Sequence, residues 1–265
     1  MTDFQIESLA DEVIAAFGLS AVPVDLEQIA REENIELAEG EFGEDFHGRI
    51  EFLAPVETFV IYHPSIAGNQ YQPRVRFSIA HELGHYYIPH HRELLLKGVS
   101  HYSLEGFHHK NPIEHQADVF AAALLIPTAV LKTRMGRRGF LSLSQILALS
   151  TDCQASAQAT AFRYTRFTRE PHLAIVSENG RVLYFFSSEE ARVFGFGGLR
   201  DKPVPDGSSS LKALTSNGIA EDKTEGNRWF PDRGCNAELW EEATRLGNSS
   251  RVLTLLSWVN YKPQL

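Results

Sequence analysis

Cysteine is nearly missing from this chain. Its two cysteines, Cys153 and Cys235, lie far apart and form no C-x-x-C. That excludes a disulfide-stapled secreted scaffold and a cysteine-built metal site, so both are read as reduced thiols. No run of eighteen apolar residues occurs, and no membrane-spanning helix is expected. The acidic start MTDFQIESLADEV lacks the charged-then-apolar order of an export signal, which points to a cytoplasmic protein. An overall excess of positive charge is missing too. The net charge is −9, which argues against a chain built as a whole to grip nucleic acid.

What remains is an ordinary globular composition, 43% hydrophobic and 22% charged over 265 residues. That length suits one large domain or two to three small ones. The charge is unevenly spread. Residues 1–60 carry fifteen Asp or Glu against two Arg, a net of −13. Residues 131–170 carry seven Lys or Arg against two acids, a net of +5. The middle segment therefore either meets an anionic partner or presents a solvated basic surface.

One stretch carries chemistry. Phe77 to His91 reads FSIAHELGHYYIPHH and contains the H-E-x-x-H pattern His81-Glu82-Leu83-Gly84-His85. On a helix, positions i and i+4 share a face, so His81 and His85 can aim two ring nitrogens at one point. Zinc accepts such nitrogens at about 2.0–2.1 Å. Glu82 adjoins the first ligand and can face the position left open for water. Ser78 is the expected helix cap, and Pro89 the expected stop.

A catalytic zinc needs three protein ligands. Eight of the eleven histidines fall between positions 81 and 115, so several must have other roles. The favoured third ligand is Glu114, 29 residues after His85 on the helix expected over 112–126, PIEHQADVFAAALLI. Asp118 follows one turn later and can hold the outer ring nitrogen of a ligating histidine. Glu114 could instead close a capping box with Asn111. His115, His90 and His91 are the other candidates for the third ligand. His101 and Tyr102, in the loop expected over 97–111, are candidates to polarise a substrate carbonyl or steady its oxyanion. Manganese is an acceptable substitute for zinc at such a site.

Around the motif, helical spacing predicts helices over 4–17 and 26–34, and strands are expected at 35–37, 48–52 and 58–62. Residues 141–168 read as two helices joined near Ser150-Thr151-Asp152. They fit a helix-turn-helix, with Arg163, Arg166 and Arg169 as candidate phosphate contacts, or a plain helical hairpin. From Pro171 the pattern changes. Residues 173–176 and 182–186 flank Asn179-Gly180 as a hairpin, 201–210 and 221–227 read as loops, and 251–259 as a final strand.

The two motifs AHELGHYYI and IEHQADVFAAALLIP, in that order, resemble the ImmA/IrrE family of zinc metallopeptidases, most closely over residues 20–130. The resemblance implies that His81, His85 and Glu114 bind the metal and that Glu82 is the catalytic acid/base. It implies a cytoplasmic endopeptidase that cuts a DNA-binding repressor or antitoxin-like protein after a stress or mobile-element signal. IrrE-type members also have a helix-turn-helix-like middle and a GAF-like sensor at the C-terminus. The expected fold class is thus α+β: a zincin-like peptidase domain with a small sheet over 1–135, a helix-turn-helix-like segment over 136–170, and a small α/β, GAF-like domain over 171–265. The expected partner is a protein substrate, a helix-turn-helix repressor, with weak nucleic-acid contact and no membrane. The rival expectation is a DNA-binding or sensor regulator whose metal site is not catalytic.

Overall fold

The computed structural model describes residues 1–40, 46–64, 72–98, 101–104, 111–136, 139–233 and 235–259. The chain is mixed α+β and divides into two compact units. The first comprises Met1–Val130 with Ser150–Ser156, the second Leu131–Leu149 with Ala157–Leu265. No single helix among the described residues is long and apolar enough to cross a membrane.

The first unit opens with α1 (Asp3–Ala16), whose N-terminus is closed by a capping box between Thr2 and Gln5. Helix α2 (Leu26–Glu32) is capped by Asp25, as its position before an apolar turn predicts. Strands β1 (Ile35–Gly40), β2 (Phe46–Leu53) and β3 (Thr58–Pro64) follow, and β4 (His101–Leu104) comes later in the chain. They form one sheet in the order β1-β3-β2-β4, with β1 parallel to β3 and the other pairs antiparallel. The stretch holding His101, expected to be loop, is thus partly an edge strand.

Three helices complete this unit's frame. The motif helix α3 (Gln72–Tyr87) begins earlier than the sequence suggests. Ser78 is not its cap but an interior residue, buried one turn before His81. Pro89 both ends the run and opens α4 (Pro89–Leu96), filling the first-turn position where a missing N–H costs nothing. Helix α5 (Pro112–Leu125) is capped by Asn111, which accepts from the Ile113 amide at 3.1 Å. Helix α3 packs on α5 and on the sheet, and α1 also packs on α5. A carboxylate fixes the roll of α3. Tyr86 and Tyr87 donate to the two oxygens of Glu33 at 2.6 and 3.0 Å. These tyrosines directly follow His85, so the pin sits one residue from a candidate ligand.

The division between units runs through α6 (Thr128–Met135) and the last turn of α7 (Leu143–Asp152). The second unit also holds α8 (Ala157–Phe167) and an antiparallel five-stranded sheet of β5 (His172–Glu178), β6 (Arg181–Ser187), β7 (Ala220–Glu225), β8 (Glu238–Arg245) and β9 (Arg251–Trp258). The strand order is β6-β5-β9-β8-β7. The Asn179-Gly180 hairpin forms as expected, with both residues at positive φ. One expectation fails here. Of residues 221–227, expected to be loop, Glu221–Glu225 belong to edge strand β7 and the rest open a short helix, and β8 is unforeseen. Polar edge strands hide from hydrophobic patterning because only one face needs burial. Trp229 and Phe230 lie in the core with Phe196 packed on them, while Phe194 is exposed.

His172 starts β5 at 3% exposure. Burial pushes its pKa down to about 4, only partly opposed by its hydrogen bond to the Glu170 carbonyl. In the unfolded chain it titrates near 6.5. A depressed histidine pKa costs nothing above the unfolded value, grows costly as pH falls from about 6.5, and reaches its full penalty of about 3 kcal/mol below about 4. All three tryptophans, Trp229, Trp240 and Trp258, lie in this unit, so their fluorescence reports its unfolding. His172→Gln should lose less stability than the parent between pH 6.5 and 4. Equal losses in urea titrations followed by that signal would contradict this.

Candidate metal centre

Helices α3 and α5 build the site. Their close approach depends on Gly84, the second spacer of the motif. A Cβ there would stand 3.2 Å from the Ala117 Cα and 3.3 Å from the Phe120 Cβ, tighter than side chains normally tolerate. A glycine at this point lets α5 approach α3 one turn beyond Glu114, and so lets Glu114 reach the two histidines.

His81, His85 and Glu114 are all buried and offer three donor atoms to one point. His81 Nε2 stands 3.1 Å from His85 Nε2 and 3.2 Å from Glu114 Oε2, and His85 Nε2 stands 3.7 Å from Glu114 Oε1. Ligands about 2.0–2.1 Å from a tetrahedral ion are roughly 3.3–3.4 Å apart, so these edges fit a metal. Two imidazole nitrogens and one carboxylate also form a donor set that divalent cations accept. Among the described residues this is the one cluster of three or more such groups close enough to hold an ion.

Asp118 stands where the i+4 spacing predicts. Its Oδ1 lies 2.9 Å from His81 Nδ1. The imidazole therefore donates outward from Nδ1 and turns the Nε2 lone pair towards the cluster. Burial alone would lower the His81 pKa. The hydrogen bonds to Asp118 and Glu114, with the charges of Asp118 and Glu82, outweigh it and raise the value to about 10. Removing such an outer partner typically costs about 10–100-fold in metal affinity. Asp118→Ala should weaken binding on that scale while Glu114 and both histidines remain. An affinity unchanged in competition with a chelating dye would show that Asp118 does not orient His81.

Glu82 is fully buried beside the cluster and is not part of it. Strand β2 comes so close that a Cβ on Gly48 would stand 2.7 Å from Glu82 Oε1. Gly48 therefore clears room for this carboxylate, a role that nothing in the local sequence announces.

The rival ligands turn elsewhere. His115 pairs with Asp3 at 3.2 Å on the surface side of α5. His91 is buried with its Nε2 3.0 Å from the Gln116 side-chain oxygen, and His90 is exposed. The capping box with Asn111 is not the role of Glu114, whose side chain faces His81 and His85. His101 and Tyr102 lie on β4 opposite Ile50 and Arg49 of β2, and their side chains fall outside the described residues.

The arginine expectation is corrected. Arg163 is 1% exposed, among the largest fully buried side chains. Every residue from Ala159 to Thr165 of α8 is buried, so Arg163 does not offer its guanidinium to a phosphate. Arg166 is half-buried with its guanidinium 5.5 Å from the Phe162 ring centroid, and Arg169 lies beyond the helix end. The i, i+3, i+6 spacing would place three side chains on one helical face, but α8 ends at Phe167, before Arg169, and Arg163 is buried.

Residues 54–165 match the family model of the IrrE N-terminal-like domain, Peptidase_M78. Over these residues the chain is similar to IrrE N-terminal-like domains. The matched segment contains α3 and α5 and therefore every ligand of the cluster. No curated protein matches the chain. Among solved structures, a Mycobacterium tuberculosis transcriptional regulator is similar in fold, with a TM-score of 0.63 at 13% identity over 96% of this chain and 76% of that one. The fold thus extends well beyond the IrrE N-terminal-like domain itself.

Proposed function

We propose that the chain is a zinc-dependent endopeptidase with a zincin-like domain. The observation that carries this reading is the convergence of His81, His85 and Glu114, with the Glu82 carboxylate beside them but outside the donor set. When bound, zinc supplies a Lewis acid that acidifies water and polarises a carbonyl. His81, His85 and Glu114 would hold it. Glu82 accepts a proton from the attacking water and delivers it to the nitrogen of the leaving amine. Gly48 keeps that carboxylate in place, and Asp118 keeps His81 in the ligating tautomer.

The resemblance to ImmA/IrrE peptidases supports a DNA-binding repressor or antitoxin-like protein as substrate, in a stress or mobile-element response. A non-catalytic regulator is the second reading, favoured by the transcriptional regulator of similar fold. The burial of α8 speaks against the form of it that uses Arg163 on DNA. A pull-down with the Glu82→Gln form, followed by mass spectrometry, tests the proposal. A trapped protein that the unmodified chain cuts supports it, and bound proteins that are never cut support the regulator.

A further inference from the structure

A cavity of about 620 Å³ opens on one face of the second sheet. That volume is typical of small-molecule sites. The register explains its floor. His172, Ser257, Trp240 and Lys223 lie opposite one another across β5, β9, β8 and β7, so their side chains share a face. Glu242 and Glu221, two residues along β8 and β7, share it too and are paired with each other. Phe140 and Glu170 line it from the segments that lead into α7 and β5. The Leu141 amide donates to the Tyr164 hydroxyl at 3.1 Å, which holds that wall in place.

The carboxylate and imidazole groups facing this space are acceptors. Glu242 is 5% exposed and spends one oxygen on the Leu143 amide at 3.1 Å. Glu170 and Glu221 add two more carboxylates. His172 has Nδ1 3.2 Å from the Glu170 carbonyl, which places its proton there. Its Nε2 is left as a buried acceptor without a hydrogen-bond partner. Lys223 is the one cation, and it pairs with Glu238 at 2.9 Å. The neighbouring face shows what a purely structural carboxylate looks like. Glu241 is saturated by the Ser210 amide and hydroxyl and the Trp229 indole at 2.9, 3.0 and 3.3 Å. Burial raises the pKa of Glu242 and of Glu170, and neighbouring Glu221 and Glu190 add to it, so a positive charge there relieves both.

We propose that this cavity binds a flat organic cation bearing several N–H donors, of the amidinium or guanidinium class. Trp240 and Phe140 offer aromatic surface to its body, and the carboxylates and His172 Nε2 accept from its nitrogens. A neutral flat ligand would leave the acceptors unanswered, and an anion would be repelled.

Benzamidine is a suitable probe, with neutral benzamide as its near-isostere. Binding to the full chain is read by calorimetry and by tryptophan fluorescence excited at long wavelength. Benzamidine should bind at least tenfold more tightly than benzamide. Glu242→Gln keeps an oxygen for the Leu143 amide and should weaken benzamidine about tenfold while leaving benzamide unchanged. Lys223→Ala removes the competing cation from an exposed edge strand and should strengthen benzamidine severalfold. Equal affinity for the two probes, no binding at millimolar concentration, or a Lys223→Ala form that binds no better would overturn the proposal.

Discussion

Replacing His85 with Ala should take the protein from about one zinc per chain to almost none. His85 is fully buried in α3, and its Nε2 lies 3.1 Å from that of His81. No other described histidine stands ready to replace it, because His91 is engaged with Gln116 and His115 with Asp3. A catalytic zinc is typically held by three protein ligands, so deleting one leaves too few to retain it. Glu114→Gln should fall between, since an amide oxygen is a weaker and uncharged donor. Both variants should lose any cleavage in proportion to metal, and manganese should restore part of the activity of parent protein stripped of its metal. Metal analysis of unchelated protein decides the matter: near-full zinc in the His85→Ala form would break the assignment.

Glu82→Gln should do the opposite, keeping zinc and losing turnover. The side chain is buried beside the cluster without belonging to it, so a nearly isosteric amide should preserve packing. An amide cannot take the proton of the attacking water. A positioned base of this kind contributes about 10²–10⁴ in rate, and a loss of that size is expected. Gly48→Ala supplies an independent arm. The added methyl would enter the space now held by Glu82 Oε1, so the carboxylate must shift while the three ligands stay. Its rate should drop with zinc retained. If Glu82→Gln loses zinc as Glu114→Gln does, Glu82 is itself a ligand and the roles must be redrawn.

Local chemistry made the centre of this protein legible in sequence. Spacing alone put His81 and His85 on one helical face, and i+4 spacing put Asp118 on the same face as Glu114. The third ligand was harder, because Glu114 sits at a position where a capping residue would look the same. Only the packing of α5 on α3 through Gly84 separates the two roles. Gly48 was invisible, since it lies far from Glu82 in the chain and only the packing of α3 on β2 brings them together. Arg163 misled because positive charge reads as surface when burial cannot be seen. Strands β7 and β8 were missed for a related reason: polar residues such as Glu221, Lys223 and Glu242 stand on the sheet face that meets the cavity and give no hydrophobic alternation.

The central claim is peptide-bond cleavage that depends on the Glu82 carboxylate. Its most direct test is a survey of new protein N-termini in cells expressing the unmodified chain or the Glu82→Gln form at equal level and equal zinc content. The account predicts a small set of new N-termini, internal to one or a few proteins, present with the unmodified chain and absent with Glu82→Gln. Identical sets of N-termini in the two would contradict it.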